Sequence, residues 1–507
     1  MLDLGRSFLA SVERAPHALA LVDGAQRLTY AEWMPRIGAL AGGLAALGLR
    51  PGDHLLVVMQ NRWQMATLHW ACQFLGVIVT PLNWRSKADE IEYCAMDAEA
   101  RAVAYDDSAA EAVAASAACA RIPRISAGSV PGDAIAFDTL LDAETPPDLV
   151  HAGPEDSSVM LYTSGTTGRP KGVPRKHRAE RAAALAHVAQ NLYGGGERTL
   201  GVMPLYHTMG VRSLLSMALL NGCFVCLPRF GAGEALALIG RERITNLYLV
   251  PTLYHDLLAH EEFAATDVSS VRRLGFAGAP MSEDLLRRLD AAFRPDLFVN
   301  HYGSSEIYTF SIDQAAASKP GSAGRAGLNA RLRVVPLGAE RPEVAAAPSE
   351  EVQIIADLSG DEAFEGYWKR PDADAKSIRQ GWYFTGDTGY FDADGDLFVT
   401  GRVDDMIISG GENISPVEIE SVLSLHEAVD EVAVAGLPDQ RWGQRVVAFV
   451  KRMGGVAPDA LDAFCKTSGM PNFKRPREYV FVREIPKSPV GKILRRKLVA
   501  GEYDRDG

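Results

Sequence analysis

The residues best suited to chemistry lie in Tyr162-Thr163-Ser164-Gly165-Thr166-Thr167-Gly168-Arg169-Pro170-Lys171-Gly172, where hydroxyl side chains and glycines lead up to a lysine. Backbone N–H groups, several hydroxyls and one cation can together surround a polyphosphate. The pattern is not a Walker A loop, which needs Gly-Lys-Ser/Thr; here Pro170 precedes Lys171 and Gly172 follows it. A flexible surface loop is the plain alternative, but the segment follows directly on the apolar run Val159 to Tyr162. Cys223 and Cys226 form a C-x-x-C in an apolar stretch without a second ligand pair, so they read as two buried strand thiols, not as a zinc site.

Of 507 residues, 52 are Lys or Arg and 64 are Asp or Glu, a formal net charge of −12. An acidic chain repels phosphate polymers and anionic surfaces, which argues against a nucleic-acid or membrane-surface binder. The length suggests several domains, and 47% hydrophobic with 23% charged residues suits an ordinary globular protein. Met1 to Ala10 carries Asp3 and Arg6 without a long apolar run, so no secretory signal is expected. No uncharged segment approaches the roughly 20 apolar residues that span a bilayer. The cytoplasm is the expected compartment.

The elements that must position the loop follow from periodicity. Thr29 to Gly48 has helical apolar spacing and opens on Thr-Tyr-Ala-Glu, which resembles a capping box. His54 to Met59 reads as a strand, Gln64 to Gly76 as a helix and Val77 to Pro81 as a strand. That alternation predicts a parallel sheet with crossover helices. Ser108 to Ala120 reads as a surface helix. A second alternation runs from Val159 to Tyr162 through the loop, a helix at Ala179 to Asn191 and a strand at Thr199 to Met203. Further strands are expected at Phe224 to Leu227, Asn246 to Val250, Leu274 to Ala277 and Leu297 to Asn300. From Gly324 to about Gly401, short strands and turns predict a smaller β-rich subdomain. After Arg402 come a helix at Pro416 to Leu425, a strand at Glu431 to Ala435 and a helix through Asp459 to Lys466. The expected fold class is α/β. Residues 1–401 form a large N-terminal domain of two parallel-type α/β subdomains plus the β-rich one, and residues 402–507 a small α+β C-terminal domain.

The loop resembles the phosphate-binding signature of the AMP-forming adenylating enzymes, the superfamily of acyl-CoA synthetases, luciferases and peptide-synthetase adenylation domains. Four more motifs, in the family's order, extend the resemblance over nearly the whole chain. Tyr302-Gly-Ser-Ser-Glu306 is similar to an aromatic-Gly-x-Thr-Glu motif, with Ser305 in place of threonine. Gly381-Trp-Tyr-Phe-Thr-Gly-Asp387, Gly401-Arg-Val-Asp-Asp405 and Pro486-Lys-Ser-Pro-Val-Gly-Lys492 resemble the ribose-binding, hinge and C-terminal lysine motifs.

The resemblance implies a carboxylate–CoA ligase. A carboxylate oxygen attacks the α-phosphorus of ATP, pyrophosphate departs, and the thiol of CoA then displaces AMP. The first step is mainly positioning and charge neutralisation. By the same resemblance Thr163, Ser164, Gly165, Thr166, Thr167, Gly168 and Lys171 cradle the β- and γ-phosphates. Glu306 is the carboxylate for Mg2+, and Tyr302 and Ser305 belong to the nucleotide site. Asp387 accepts from the ribose hydroxyls, Arg402 donates to the same sugar or phosphate, and Lys492 bridges the acyl and α-phosphate oxygens. Asp404 is the hinge about which residues 403 to 507 rotate between half-reactions. The C-terminal domain is thereby a mobile lid. Gly410 and Gly411 line the pantetheine tunnel, Trp442 packs on the pantetheine arm, and Phe473, Lys474 and Arg475 meet the CoA nucleotide.

Within the family the segments Met203-Pro-Leu-Tyr-His207, Phe276-Ala-Gly-Ala279, Gly401 to Asn413 and Asp439-Gln-Arg-Trp-Gly-Gln444 are most similar to benzoate-type ligases, the 4-chlorobenzoate–CoA ligases among them. Mapped that way, the acyl pocket is lined by Ala186, His207, Thr208, Met209, Tyr248, Ala279, His301, Gly303, Tyr308 and Thr309. His207 is a wall beside the carboxylate and is assigned no proton transfer. His301, Tyr248, Tyr308 and Thr309 are expected to pair with a ring heteroatom or hydroxyl, which favours a small aromatic or heteroaromatic acid such as benzoate, hydroxybenzoate or furoate. The partners expected are that acid, ATP and CoA, with neither nucleic acid nor membrane, in a monomer or homodimer. The alternatives are a free-standing adenylation enzyme that loads a carrier protein, a medium-chain fatty acyl-CoA synthetase, and a nucleotide sensor without turnover. Intact Lys171, Glu306, Asp387, Arg402 and Lys492 speak against the last.

Overall fold

In the computed structural model, which describes residues 2–146, 148–163, 169–344, 346, 352–487 and 493–506, the chain builds three sheets. The first has seven strands in the order Ile135–Ala136, Arg124–Ser126, Ala102–Tyr105, His54–Val58, Ile78–Pro81, Ser157–Thr163 and Lys171–Lys176. Its neighbours are parallel except for the last pair, an antiparallel hairpin. The helix expected at Ala179 to Asn191 runs His177–Gln190, and the strand Lys171–Lys176 stands between it and the loop.

The second sheet has a parallel half formed by Leu297–Tyr302, Arg273–Phe276, Asn246–Leu249, Arg198–Gly201, Cys223–Cys226 and Leu19–Asp23. Its antiparallel half passes from Ser311–Asp313 and Ser322–Ala326 through Leu397–Arg402, Trp382–Phe391 and Val352–Asp357 to Leu332–Pro336. The β-rich stretch is thus continuous with the parallel sheet instead of standing apart. Leu297–Tyr302 would otherwise present an unpaired ladder edge, and Ser311–Asp313 returns antiparallel to satisfy it. Within the antiparallel half the pairing of Ser322–Ala326 with Leu397–Arg402 shifts register between Ser322 and Gly324. Gly324 has φ +71°, and a Cβ there would lie 2.0 Å from the Ile312 carbonyl oxygen, so only glycine fits.

Five helices, Leu4–Arg14, Tyr30–Ala46, Trp63–Leu75, His177–Gln190 and Thr208–Leu219, share one apolar core with strand residues of both sheets, among them Leu55 and Val57 of the first and Leu21 and Phe224 of the second. The Tyr30–Ala46 helix starts at the expected capping box: the Thr29 hydroxyl accepts from Glu32 N–H and the Glu32 carboxylate from Thr29 N–H. The Ser108 to Ala120 stretch is broken into Ala110–Ala114 and the short turn Cys119–Arg121. Glu92 explains the break, because its carboxylate takes the Ser116 hydroxyl at 2.5 Å and the Ala118 N–H at 2.7 Å. Cys223 and Cys226 are buried free thiols in a strand, as expected, and burial pushes Cys223 up to about 12.

Past the turn Val403–Asp405 the chain builds a third sheet from Ile407–Ser409, Glu412–Ile414, Val429–Asp439, Gly443–Arg452 and Glu478–Phe481, packed with the helices Pro416–Leu423 and Pro458–Thr467. Among the described residues no helix is long and apolar enough to cross a membrane.

The close approach at Gly324 makes Gly324→Ala destabilising by about 2 kcal/mol or more, to be read as a lowered thermal midpoint. His54 and His177 are buried, and burial holds both at about 4, below the ordinary value near 6.5. Between pH 6.5 and 4 the unfolded chain binds protons that the folded one refuses, so stability should fall as pH falls through that window. Each histidine withdraws up to about 1.4 kcal/mol per pH unit, and thermal midpoints across the window check it.

Candidate active site

The hairpin Ser157–Thr163 and Lys171–Lys176 sets Thr163 opposite Lys171 at the mouth of the glycine-rich loop. Ser164, Gly165, Thr166, Thr167 and Gly168 lie outside the described residues. The base of the hairpin is held from outside. Tyr93 OH donates to the Pro170 carbonyl oxygen at 3.2 Å, and Trp368 N–H to that of Gly172 at 2.9 Å. Lys171 is half-buried with its Nζ 4.1 Å from the centroid of the Tyr367 ring. Burial lowers its pKa, and the charge of Glu306 acts in the opposite direction.

Glu306 is buried in a tight turn after Leu297–Tyr302, where the Ser304 hydroxyl accepts from Glu306 N–H at 3.2 Å. Tyr367 OH donates to Glu306 Oε1 at 2.6 Å and lies 3.3 Å from Tyr383 OH. Tyr367 thus carries the lysine on its face and the glutamate on its hydroxyl, which brings two sequence-identified groups onto one ring. No motif quoted from the sequence contains this tyrosine, and no spacing signals it. Gly303 makes the turn possible, since a Cβ there would lie 2.0 Å from the Tyr308 carbonyl oxygen.

A second constellation adjoins the first through aromatic contacts, Tyr383 with Phe310 and Phe310 with Tyr302. Asp387 and Arg402 are register partners on antiparallel strands, and Arg402 Nη1 lies 2.9 Å from Asp387 Oδ1. Tyr302 OH donates to Asp387 Oδ2 at 2.5 Å. Burial, with Asp387 adding to it, drives the Tyr302 phenol well above its ordinary range. The two groups expected to hold the ribose therefore hold each other here.

His207 caps the helix Thr208–Leu219, its Nδ1 accepting from Met209 N–H at 3.3 Å, so the neutral ring carries its proton on Nε2. Ala186, Met209, Tyr248, His301, Tyr308 and Thr309 are buried, while Ala279 and Gly303 are half-buried. The polar members differ from expectation in being partnered within the protein. Tyr308 OH donates to Glu180 Oε2 at 3.1 Å, and Glu180 in turn accepts from Arg175 Nε at 2.8 Å. The Tyr248 and Thr309 hydroxyls accept from Arg212, and His301 Nε2 meets the Asn191 amide. Arg212 escapes sequence reasoning because its partners are far off along the chain, and Arg175 because, apart from Glu180, it binds the distant carbonyls of Glu306 and Glu362, although a lone cation in an apolar helix such as Val211-Arg212-Ser213-Leu214 is a usable signal.

In the C-terminal part, Gly410 and Gly411 have φ +63° and +88°, and a Cβ on Gly410 would sit 2.7 Å from Trp442 Cε3. Trp442 and Phe473 are exposed aromatics. Lys474 pairs with Glu418 at 2.7 Å and Arg475 with Asp462 at 3.1 Å, so both cations are tied to neighbouring helices. Asp404 is exposed in the turn Val403–Asp405, and beside it Asp405 meets Arg495 at 3.1 Å, which also binds Glu420 at 2.6 Å. Lys492 lies outside the described residues. Asp392, Asp394 and Asp396 converge as metal ligands would, but the Lys319 amino group occupies the cluster at 2.5, 2.9 and 2.6 Å from them.

A family model described as AMP-binding enzyme matches residues 8–368, and one described as AMP-binding enzyme C-terminal domain matches residues 418–492. The chain is 35% identical over 493 residues to a 4-chlorobenzoate–CoA ligase of Arthrobacter sp, covering 96% of this chain and 93% of that protein. It is 32% identical over 476 residues to the long-chain-fatty-acid–CoA ligase FadD13 of Mycobacterium tuberculosis, covering 93% and 92%. Among solved structures, the anthranilate CoA ligase AuaEII in complex with anthranoyl-AMP superposes with a TM-score of 0.90 at 26% identity, covering 99% of this chain and 97% of that one.

Tyr367→Phe keeps the ring beneath Lys171 and removes the hydrogen bond to Glu306. The expected outcome is a roughly tenfold loss in kcat/KM for ATP, measured by pyrophosphate exchange, with the thermal midpoint little changed.

Proposed function

From the premise that this chain belongs to the AMP-binding enzyme family and is an AMP-forming acid–thiol ligase using ATP and CoA, we propose that its acid is small and aromatic or heteroaromatic, of the benzoate, hydroxybenzoate or furoate type. The observation that carries the reading is the buried ring of Tyr248, His301 and Tyr308 around the acyl-binding positions. Tyr248 and His301 meet edge to face with centroids 5.1 Å apart, and flat side chains at these positions suit a planar acid better than an extended alkyl chain. The similarity to a 4-chlorobenzoate–CoA ligase supports it, and the similarity to a long-chain ligase keeps a fatty acid as the second reading.

In the proposed mechanism Lys171 and the loop Thr163 to Gly168 neutralise the β- and γ-phosphates of ATP. Glu306, a hard buried carboxylate oriented by Tyr367, suits the Mg2+ that accompanies the nucleotide. Asp387 exchanges its contact with Arg402 for the ribose hydroxyls, and Arg402 turns to the sugar or phosphate. His207, its tautomer fixed by Met209 N–H, walls the carboxylate and keeps water from the acyl-adenylate. Lys492 bridges the attacking carboxylate and the α-phosphate, so residues 403 to 507 rotate about Asp404 to withdraw it and admit CoA. The Trp442 face, with Phe473, Lys474 and Arg475, then receives the pantetheine arm and nucleotide of CoA.

Pyrophosphate release from benzoate, hydroxybenzoates, furoate and medium-chain acids tests the acid. Aromatic acids should exceed the alkyl acids, and preference for octanoate would reject the reading. Lys492→Ala should abolish adenylation while sparing CoA-dependent consumption of a supplied acyl-adenylate; equal loss of both halves would contradict its assigned role. Thioester formed on free CoA at micromolar concentration excludes the carrier-loading alternative.

A further inference from the structure

Arg212 is 2% exposed on the helix Thr208–Leu219. Its Nη1 donates to the Thr309 hydroxyl at 2.7 Å and its Nη2 to the Tyr248 hydroxyl at 2.9 Å, while its buried Nε has no hydrogen-bond partner among the described residues. A guanidinium only donates, so both hydroxyl oxygens act as acceptors and keep their own hydrogens to give. Around Tyr248 stand two buried imidazoles, His187 at 4.8 Å and His301 at 5.1 Å between ring centroids. Asn191 Nδ2 donates to the His187 carbonyl oxygen at 2.7 Å, which fixes the amide's orientation, and meets His187 Nδ1 at 3.0 Å. That nitrogen must therefore accept, and the proton of the neutral ring sits on Nε2, which has no partner among the described residues. Both hydrogens of that amide are then used on His187, so His301 Nε2 donates to Asn191 Oδ1 at 3.3 Å and leaves Nδ1 as an unmatched acceptor. Burial, reinforced by the charge of Arg212, holds both rings well below the usual histidine range, so neither is a cation.

Two buried carboxylates adjoin the cluster, and neither accepts from the free Arg212 Nε. Glu362 accepts from Thr309 N–H at 3.2 Å and Asn329 at 3.3 Å, and Glu180 serves Arg175 and Tyr308. Among the unmatched atoms of the cluster donors predominate, Arg212 Nε–H and His187 Nε2–H against the one acceptor His301 Nδ1. An unmatched buried polar atom costs on the order of 1–3 kcal/mol, and here several occur together beside the acyl-binding positions.

We propose that the acid carries a second, hydrogen-bond-accepting group remote from its reacting carboxylate, a carboxylate, nitro or carbonyl oxygen, and that Arg212 with Tyr248 and Thr309 selects for it. The inference rests on the acyl-CoA ligase reading of the same site and adds the chemistry of the substituent. Arg212 acts by direct donation from Nε and by holding both hydroxyls with their hydrogens turned to the substrate.

The test is pyrophosphate exchange by the purified full chain with acids paired for shape: terephthalate with 4-isopropylbenzoate, isophthalate with 3-isopropylbenzoate, and adipate with 6-methylheptanoate. At least one pair should favour the acceptor-bearing member about tenfold or more in kcat/KM. Arg212→Met should erase or invert that ratio without changing KM for ATP. Tyr248→Phe, which keeps the ring, should lower the ratio several-fold and serves if the arginine variant does not fold. The proposal is overturned if the wild type handles the isopropyl member of every pair as well as its partner, or if the ratio survives both changes. Exchange with the aliphatic pair alone would reject the aromatic reading, while the ratio within that pair still decides the role of Arg212.

Discussion

The arrangement of the active centre depends on the burial of one guanidinium. Arg175 has no exposed surface, and it sits on the outermost strand of the first sheet. Its Nε binds Glu180 at 2.8 Å, and its Nη1 donates to the carbonyl oxygens of Glu306 and Glu362 at 2.8 and 2.6 Å. Its guanidinium carbon lies 4.1 Å from the centroid of the Tyr308 ring. A buried charge is tolerated when it is paired and most of its donors are used; here Nη2 alone of its nitrogens lacks a partner among the described residues, and removing one partner typically costs about 3–5 kcal/mol. Those demands force the glycine-rich hairpin, the helix His177–Gln190 and the turn at Glu306 to meet. Lys171, on the same strand as Arg175 and nearer the loop, is thereby brought over Tyr367, whose hydroxyl orients Glu306.

Short spacing controls what is legible in the sequence. The capping box at Thr29 joins residues within a single helical turn, and the parallel strands announce themselves by apolar runs between helical periods. Motifs such as Tyr302 to Glu306 and Gly381 to Asp387 are likewise local, so residue order alone places them. Periodicity misleads where a distant side chain intervenes. Glu92 breaks the Ser108 to Ala120 helix through contacts 24 and 26 residues away along the chain. The joining of the antiparallel half to the parallel sheet rests on edge pairing between Leu297–Tyr302 and Ser311–Asp313, which hydrophobic period does not encode. The partners of Tyr248, Tyr308 and Thr309 lie 36, 128 and 97 residues distant, so phenols and a hydroxyl that look available to substrate are joined to one buried arginine and one glutamate.

The C-terminal part is organised by the same rule on a smaller scale. Arg495 gathers Asp405, Glu420 and the Val434 carbonyl oxygen, which fixes the helix Pro416–Leu423 and the strand Val429–Asp439 next to the turn that carries Asp404. Any rotation about that turn would move these elements as one body, because their shared cation lies on the same side of it. The aromatic surface of Trp442, braced against Gly410, would travel with them.

The face-to-face placement of Asp387 and Arg402 has a further consequence for how ligands come and go. A nucleotide that takes this carboxylate meets a rival already tethered by the strand register, at a local concentration no dissolved molecule matches. Affinity at this point is then a difference between two sets of bonds and not their sum. On the proposed reading the same pairing would form again once a nucleotide left, so the carboxylate would not be stranded without a partner.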